Sequence, residues 1–113
     1  MCIRDRHYGT EKGHVRPYIS HEAIRWLILE KRINIIGSDA SGIEIKGAPN
    51  QPNHQLLMEN GIPIIEFANN LDALRSERFT LLVLALPIQG LDSSPVRLVA
   101  LEDAEKDCEV CHG

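Results

Sequence analysis

The stretch from Asn53 to Leu74 restricts the fold of this chain more than any other. It predicts a short helix, Asn53 to Asn60, entered at Pro52 and stopped by Gly61 in the left-handed conformation that glycine adopts at helix ends. A buried strand follows, Ile62-Pro63-Ile64-Ile65, then a polar turn at Asn69 and Asn70 into a helix over Leu71 to Arg75. Leu56 and Leu57 face the core of such a unit. His54 sits in the first helical turn and Glu66 closes the strand. A carboxylate directly after an apolar run stands in solvent or at a site, because burying it unpaired is costly. Neutral imidazole plus carboxylate is a donor pair that zinc, manganese and iron accept. Spacing alone also fits a plainer reading, a surface histidine and a strand-end glutamate.

The flanking segments add an α/β pattern. Ser20 is an N-cap residue, with Ile19 and Ile24 placed as a hydrophobic staple. Ile24, Leu27 and Ile28 recur at helical spacing as a buried face, with Trp26 a candidate to join them. His21 reads as an exposed first-turn residue. Ile33-Asn34-Ile35-Ile36, ending at Gly37, predicts a strand. Asp39 follows at that strand's C-terminal end, where loops of α/β sheets often line sites, so it is a candidate to orient a ligand or touch substrate. A turn-stabilising aspartate is the alternative. Gly47, Pro49, Asn50 and Pro52 mark Ile43 to Pro52 as a mobile loop. Asn69 is a candidate partner for Glu66, and a turn role is its alternative. Phe79 to Leu86 is rich in Thr, Val and Leu with almost no polar residue and predicts a central strand buried on both faces. Pro87 ends it. A loop over Ile88 to Pro95 leads to a last strand, Val96 to Leu101, with Arg97 its one charge. The expected architecture is α/β, with about three helices packed on a mixed sheet of about four strands.

At 113 residues the chain has room for one small domain. A net charge of −4 with no basic stripe argues against non-specific nucleic-acid binding. No apolar run approaches the ~20 residues of a membrane span, and the start is too polar for a secretory signal. Cys2, Cys108 and Cys111 all lie at the ends, which argues against a disulfide framework. A cytoplasmic protein without a membrane or nucleic-acid partner is expected.

Residues 1–13 are polar and irregular, as a non-native N-terminal edge would be, and 102–113 form an acidic tail. That tail ends in Cys108-Glu109-Val110-Cys111-His112, the covalent c-type haem attachment pattern. Haem is the cofactor that this run raises, in a fusion continuing past Gly113. Adventitious thiols in an acidic tail are the alternative.

Three stretches, taken together, resemble a known family. The first is His54-x-Leu56-Leu57 running through Gly61-Ile62-x-Ile64-Ile65-Glu66 to Asn70-Leu71. The second is Pro17-Tyr18-Ile19-Ser20 with Glu22, Ala23, Trp26 and Leu27, followed by Ile35-Ile36-Gly37-Ser38-Asp39-Ala40. The third is Leu86-Pro87-Ile88 with Gly90-Leu91-Asp92-Ser93-Ser94-Pro95-Val96-Arg97. Taken in chain order, over about residues 14 to 101, they are similar to the C-terminal half of the metal-dependent cyclase family, which includes bacterial kynurenine formamidases. The resemblance implies part of a swivelling β/β/α-type domain. It further implies hydrolysis of a small amide, most concretely an arylformamide of the N-formylkynurenine type in tryptophan catabolism. A divalent metal, zinc or manganese, would be held by His54 and Glu66. The full-length protein would be a homo-oligomer. The family's main metal motif, His-x-Gly-Thr-His-x-Asp-x-Pro-x-His, begins at His7-Tyr8-Gly9-Thr10. It then meets Glu11, Gly13, Val15 and Pro17 where His, Asp, Pro and His would stand, so that match reads as coincidence. The general base and the remaining ligands are expected in an N-terminal half without counterpart here, and this chain alone is expected to be inactive. A non-catalytic interaction module on the same fold is the alternative.

Overall fold

The computed structural model describes residues 17–103, in two units that divide after Leu71. The first carries helix α1 (His21–Leu29), strand β1 (Ile36–Gly37), helix α2 (Pro52–Glu59) and strand β2 (Ile64–Ile65). A short 3-10 turn, Leu71–Ala73, lies at the division. The second unit carries strands β3 (Thr80–Ala85) and β4 (Val96–Leu101).

Helix α1 begins where Ser20 Oγ accepts the Ala23 N–H at 3.2 Å, satisfying one of the free donors of the first turn. Its apolar stripe places Ile24 in a core shared with Ile43, Leu57 and Ile62, against which Ile19, Leu27 and Ile28 pack. Trp26 does not join that face. It is half exposed, and the Lys31 ammonium lies 4.8 Å from its ring centroid, within range of a cation–π contact.

The strand expected over Ile33 to Ile36 is shorter and shifted. Arg32 turns into the left-handed region, and the Ile33 N–H donates back to Leu27 O at 3.4 Å, closing α1. Ile33 thus packs on the core instead of pairing. Strand β1 starts at Ile36 and runs parallel to β2, with Ile36 opposite Ile64 and Gly37 opposite Ile65. Parallel strands need a crossover, and α2 lies in it. The ladder continues past both strands: Phe67 N–H donates to Ala40 O at 3.0 Å and Ala68 N–H to Ser38 O at 2.9 Å. Glu66 is therefore held against the loop that follows β1. Gly61 stops α2 at φ +67°, as its sequence position predicts.

The second unit departs most from expectation. β3 and β4 pair antiparallel, from Thr80 opposite Leu101 to Ala85 opposite Val96. They form a two-stranded sheet, not the centre of a larger one, so the described residues hold two α-helices and two small sheets. Leu81, Leu82 and Leu84 are exposed, and only Val83 of β3 is half buried. A continuous apolar run looks the same in sequence whether or not neighbours cover it, because burial depends on elements elsewhere in space. The helix expected over Leu71 to Arg75 is only the 3-10 turn, preceded by Asn70 at φ 59°.

Glu102 follows β4 and ties down the start of this unit. Its Oε1 accepts the Ser76 N–H at 2.6 Å and the Arg75 N–H at 2.8 Å. The Ser76 amide, then the Arg75 amide, holds its carboxyl below the ordinary glutamate range, with smaller help from the Ser76 side chain and the Arg75 charge against desolvation. A depressed carboxyl pKa stabilises the fold above the ordinary glutamate range, and that contribution disappears as pH falls through the folded value. The Arg75 and Ser76 amide resonances are expected to titrate together in NMR, with a midpoint below that of an unperturbed glutamate. Glu102→Gln is expected to abolish the transition. A midpoint at the ordinary value would count against the contact.

Candidate functional site

The residues that meet around His54 are brought there by three loops or ends of the first unit. His54 is the third residue of α2. Before it, Asn50 and Gln51 both have positive φ, and Gln51, the residue preceding the helix, makes no side-chain cap. The first turn of α2 is capped from elsewhere. Glu44 Oε1 accepts the His54 N–H at 2.8 Å, placing a carboxylate at the positive end of the helix dipole. The same oxygen lies 3.1 Å from His54 Nδ1. On the other side of the ring, Nε2 faces Glu66 Oε1 at 3.7 Å, beyond hydrogen-bond length.

The imidazole therefore stands between two carboxylates of different character. The Glu44 side chain is only 10% exposed and the Glu66 side chain 37%. Glu44 is a fixed part of the fold, while Glu66 reaches the rim. Together with Ser41, Lys46 and Gln51 they line a pocket of about 330 Å³. Phe67, directly after Glu66, is held at φ 55°, a conformation uncommon for a bulky residue and one often kept where a neighbour must be aimed.

The structure brings His54 and Glu66 together, as the helix–stop–strand reading requires. It does not bring Asp39 to them: Asp39 lines a separate hollow of about 160 Å³ with Tyr18 and Ile19, and its Oδ2 is buried with no hydrogen-bond partner among the described residues. Asn69 is exposed, and its Oδ1 accepts the Asn70 N–H at 2.9 Å, which is a turn contact. His7, Cys108, Cys111 and His112 lie outside the described residues.

Two residues of this region were not visible as such in the sequence. Glu44 falls in a segment whose prolines and glycines predict a mobile loop, yet Ile43 is 1% exposed and Glu44 7%. The available signal was its setting between Ile43 and Ile45, the same argument that singles out Glu66: a carboxylate among apolar neighbours needs a partner. Asn53 is 2% exposed and joins three segments. Its Nδ2 donates to Ile19 O at 2.8 Å and to Ile43 O at 3.4 Å, and its Oδ1 accepts from His21 Nδ1 at 3.0 Å. His21 is exposed as expected, but it is tied to α2.

Nitrogen and oxygen donors facing each other across a gap suit zinc or manganese in kind. In number they fall short, since no group of three or more His, Cys, Asp or Glu side chains is placed to hold a metal among the described residues. No described helix is long and apolar enough to cross a membrane.

No family model matches the chain. No solved structure matches it. Among curated proteins, a kynurenine formamidase of Polaromonas naphthalenivorans (strain CJ2) is 32% identical over 76 residues, covering 67% of this chain and 34% of the relative. The relationship is distant, and this chain spans about a third of the length of that relative.

Proposed function

We propose that this chain supplies part of the active site of a metal-dependent hydrolase of small amides, with a formamide of the N-formylkynurenine class as substrate. The observation that carries the reading is the facing of His54 Nε2 and Glu66 Oε1 across 3.7 Å at the rim of a pocket. Distant relationship to a protein named kynurenine formamidase supports the reaction class. In this reading His54 and Glu66 are two of the donors to a zinc or manganese ion. Such an ion, when bound, lowers the pKa of a coordinated water toward ~7 and polarises a carbonyl. This chain's own residues contribute charge and placement. Glu66 contributes negative charge that balances the cation, α2 and β2 hold the two donors at fixed positions, and a pocket of about 330 Å³ matches a small ligand.

The test is a chimera in which the matching segment of the Polaromonas enzyme is replaced by that of this chain. The chimera is expected to hydrolyse an aryl formamide and to lose that activity to chelator, with His54→Ala reducing turnover to background. A chimera that folds by circular dichroism but does not turn over, or one indifferent to His54→Ala, would sink the proposal.

A further inference from the structure

The contact between Glu44 and His54 leads one step further. An ionised carboxylate can only accept, so a ring nitrogen in hydrogen-bond contact with it must carry the proton. Glu44 Oε1 is 3.1 Å from Nδ1, whereas Glu66 Oε1 is 3.7 Å from Nε2 and outside hydrogen-bond range. The nearer acceptor takes the proton. The neutral ring therefore bears hydrogen on Nδ1 and turns the Nε2 lone pair toward Glu66 and the pocket. We propose that Glu44 is a positioning residue that sets the tautomer and ring orientation of His54, so that Nε2 is a ready donor before any cation arrives. This rests on the reading of His54 and Glu66 as a donor pair.

Three observations support a built device. Glu44 is 7% exposed, so its carboxylate is held where water competes weakly for the bond. The same oxygen accepts the His54 backbone N–H at 2.8 Å, which anchors it to the residue it orients. That second bond removes the freedom of Glu44 to follow the ring, so the ring must follow Glu44. Histidines that bind metals through one nitrogen commonly donate from the other to a carboxylate, and loss of that partner weakens metal binding.

The experiment is long-range proton–nitrogen correlation NMR on the whole metal-free chain, at a pH well above the ordinary imidazole range. His54 is expected as the Nδ1–H form in the wild type and in Glu66→Gln, because Glu66 plays no part in the choice. Glu44→Met, which keeps the volume but removes the acceptor, is expected to shift the ring toward the Nε2–H form, and a ring that stays Nδ1–H in this variant would show that Glu44 does not set the tautomer. An Nε2–H ring in the wild type overturns the proposal, and that result needs no variant to fold. A swap to Nε2–H in Glu66→Gln overturns it as well. If the Nδ1–H form is found while the folded chimera described above does not turn over, the donor-pair reading falls and the role of Glu44 in setting the tautomer stands.

Discussion

Asn53→Ala is expected to destabilise the first unit by about 2–4 kcal/mol, an effect usually reserved for deletions in an apolar core. The residue is 2% exposed and supplies both of its polar groups to distant partners: Ile19 O at 2.8 Å, Ile43 O at 3.4 Å and His21 Nδ1 at 3.0 Å. Each such bond contributes about 0.5–1.5 kcal/mol net, and a buried group left without its partner costs about 1–3 kcal/mol. Alanine removes all three bonds and leaves the Ile19 carbonyl without the Nδ2 donor. Asn53→Asp should be no better, because the donor to two carbonyl oxygens is replaced by an acceptor. Urea denaturation followed by circular dichroism is the measurement, with the exposed Gln55→Ala in the same helix as the control, expected to change stability by less than about 0.5 kcal/mol. An Asn53→Ala midpoint indistinguishable from wild type would show that these bonds are replaced by water at no cost. The prediction bears on function too. Ile43 precedes Glu44 and Asn53 precedes His54, so the Asn53–Ile43 contact keeps the carboxylate and the imidazole in register.

If His54 is a metal donor as proposed, then in the chimera that restores the remaining ligands His54→Ala is expected to reduce zinc affinity more than about 100-fold, more than removal of a supporting partner does. The side chain offers the one imidazole nitrogen that faces Glu66, at 3.7 Å. Alanine keeps the helix, having the best helical propensity of any residue, and the Glu44 bond to the backbone N–H of residue 54 does not depend on the side chain. Loss of affinity with an unchanged far-ultraviolet spectrum would therefore report on the donor. Glu66→Gln should weaken zinc binding as well, since an amide oxygen carries no charge. His21→Ala is the matched control. It removes a histidine that contacts Asn53 and is expected to leave zinc affinity unchanged. Calorimetric titration of the chimera with zinc that yields the same affinity with and without His54→Ala would remove the donor pair from consideration.

Legibility of this chain from its sequence followed the range of the interactions involved. Ser20 as a cap, Gly61 as a stop and the α2–β2 succession depend on residues a few positions apart, and all were readable. The site was half readable. His54 and Glu66 stand at the ends of one local unit, so their approach follows from a helix, a stop and a strand in order. Glu44 comes from a separate loop, and its bond to His54 exists only because Ile43 is buried in the core beside Leu57. Nothing in the local pattern of glycines and prolines announces that burial. The apolar run of β3 misled for the opposite reason, since its composition states what the strand could bury and not what covers it.

Taken alone, the amino-acid order determined an α/β alternation, the cap of α1 at Ser20, the stop of α2 at Gly61 and two candidate donors, because backbone propensity and side-chain period act over a few residues. Tertiary structure alone decided which carboxylate holds the imidazole, which asparagine locks two loops to a helix, and how many strands each sheet contains. Those outcomes turn on contacts between segments remote in sequence, where desolvation and hydrogen-bond geometry choose among partners that look equivalent on the chain.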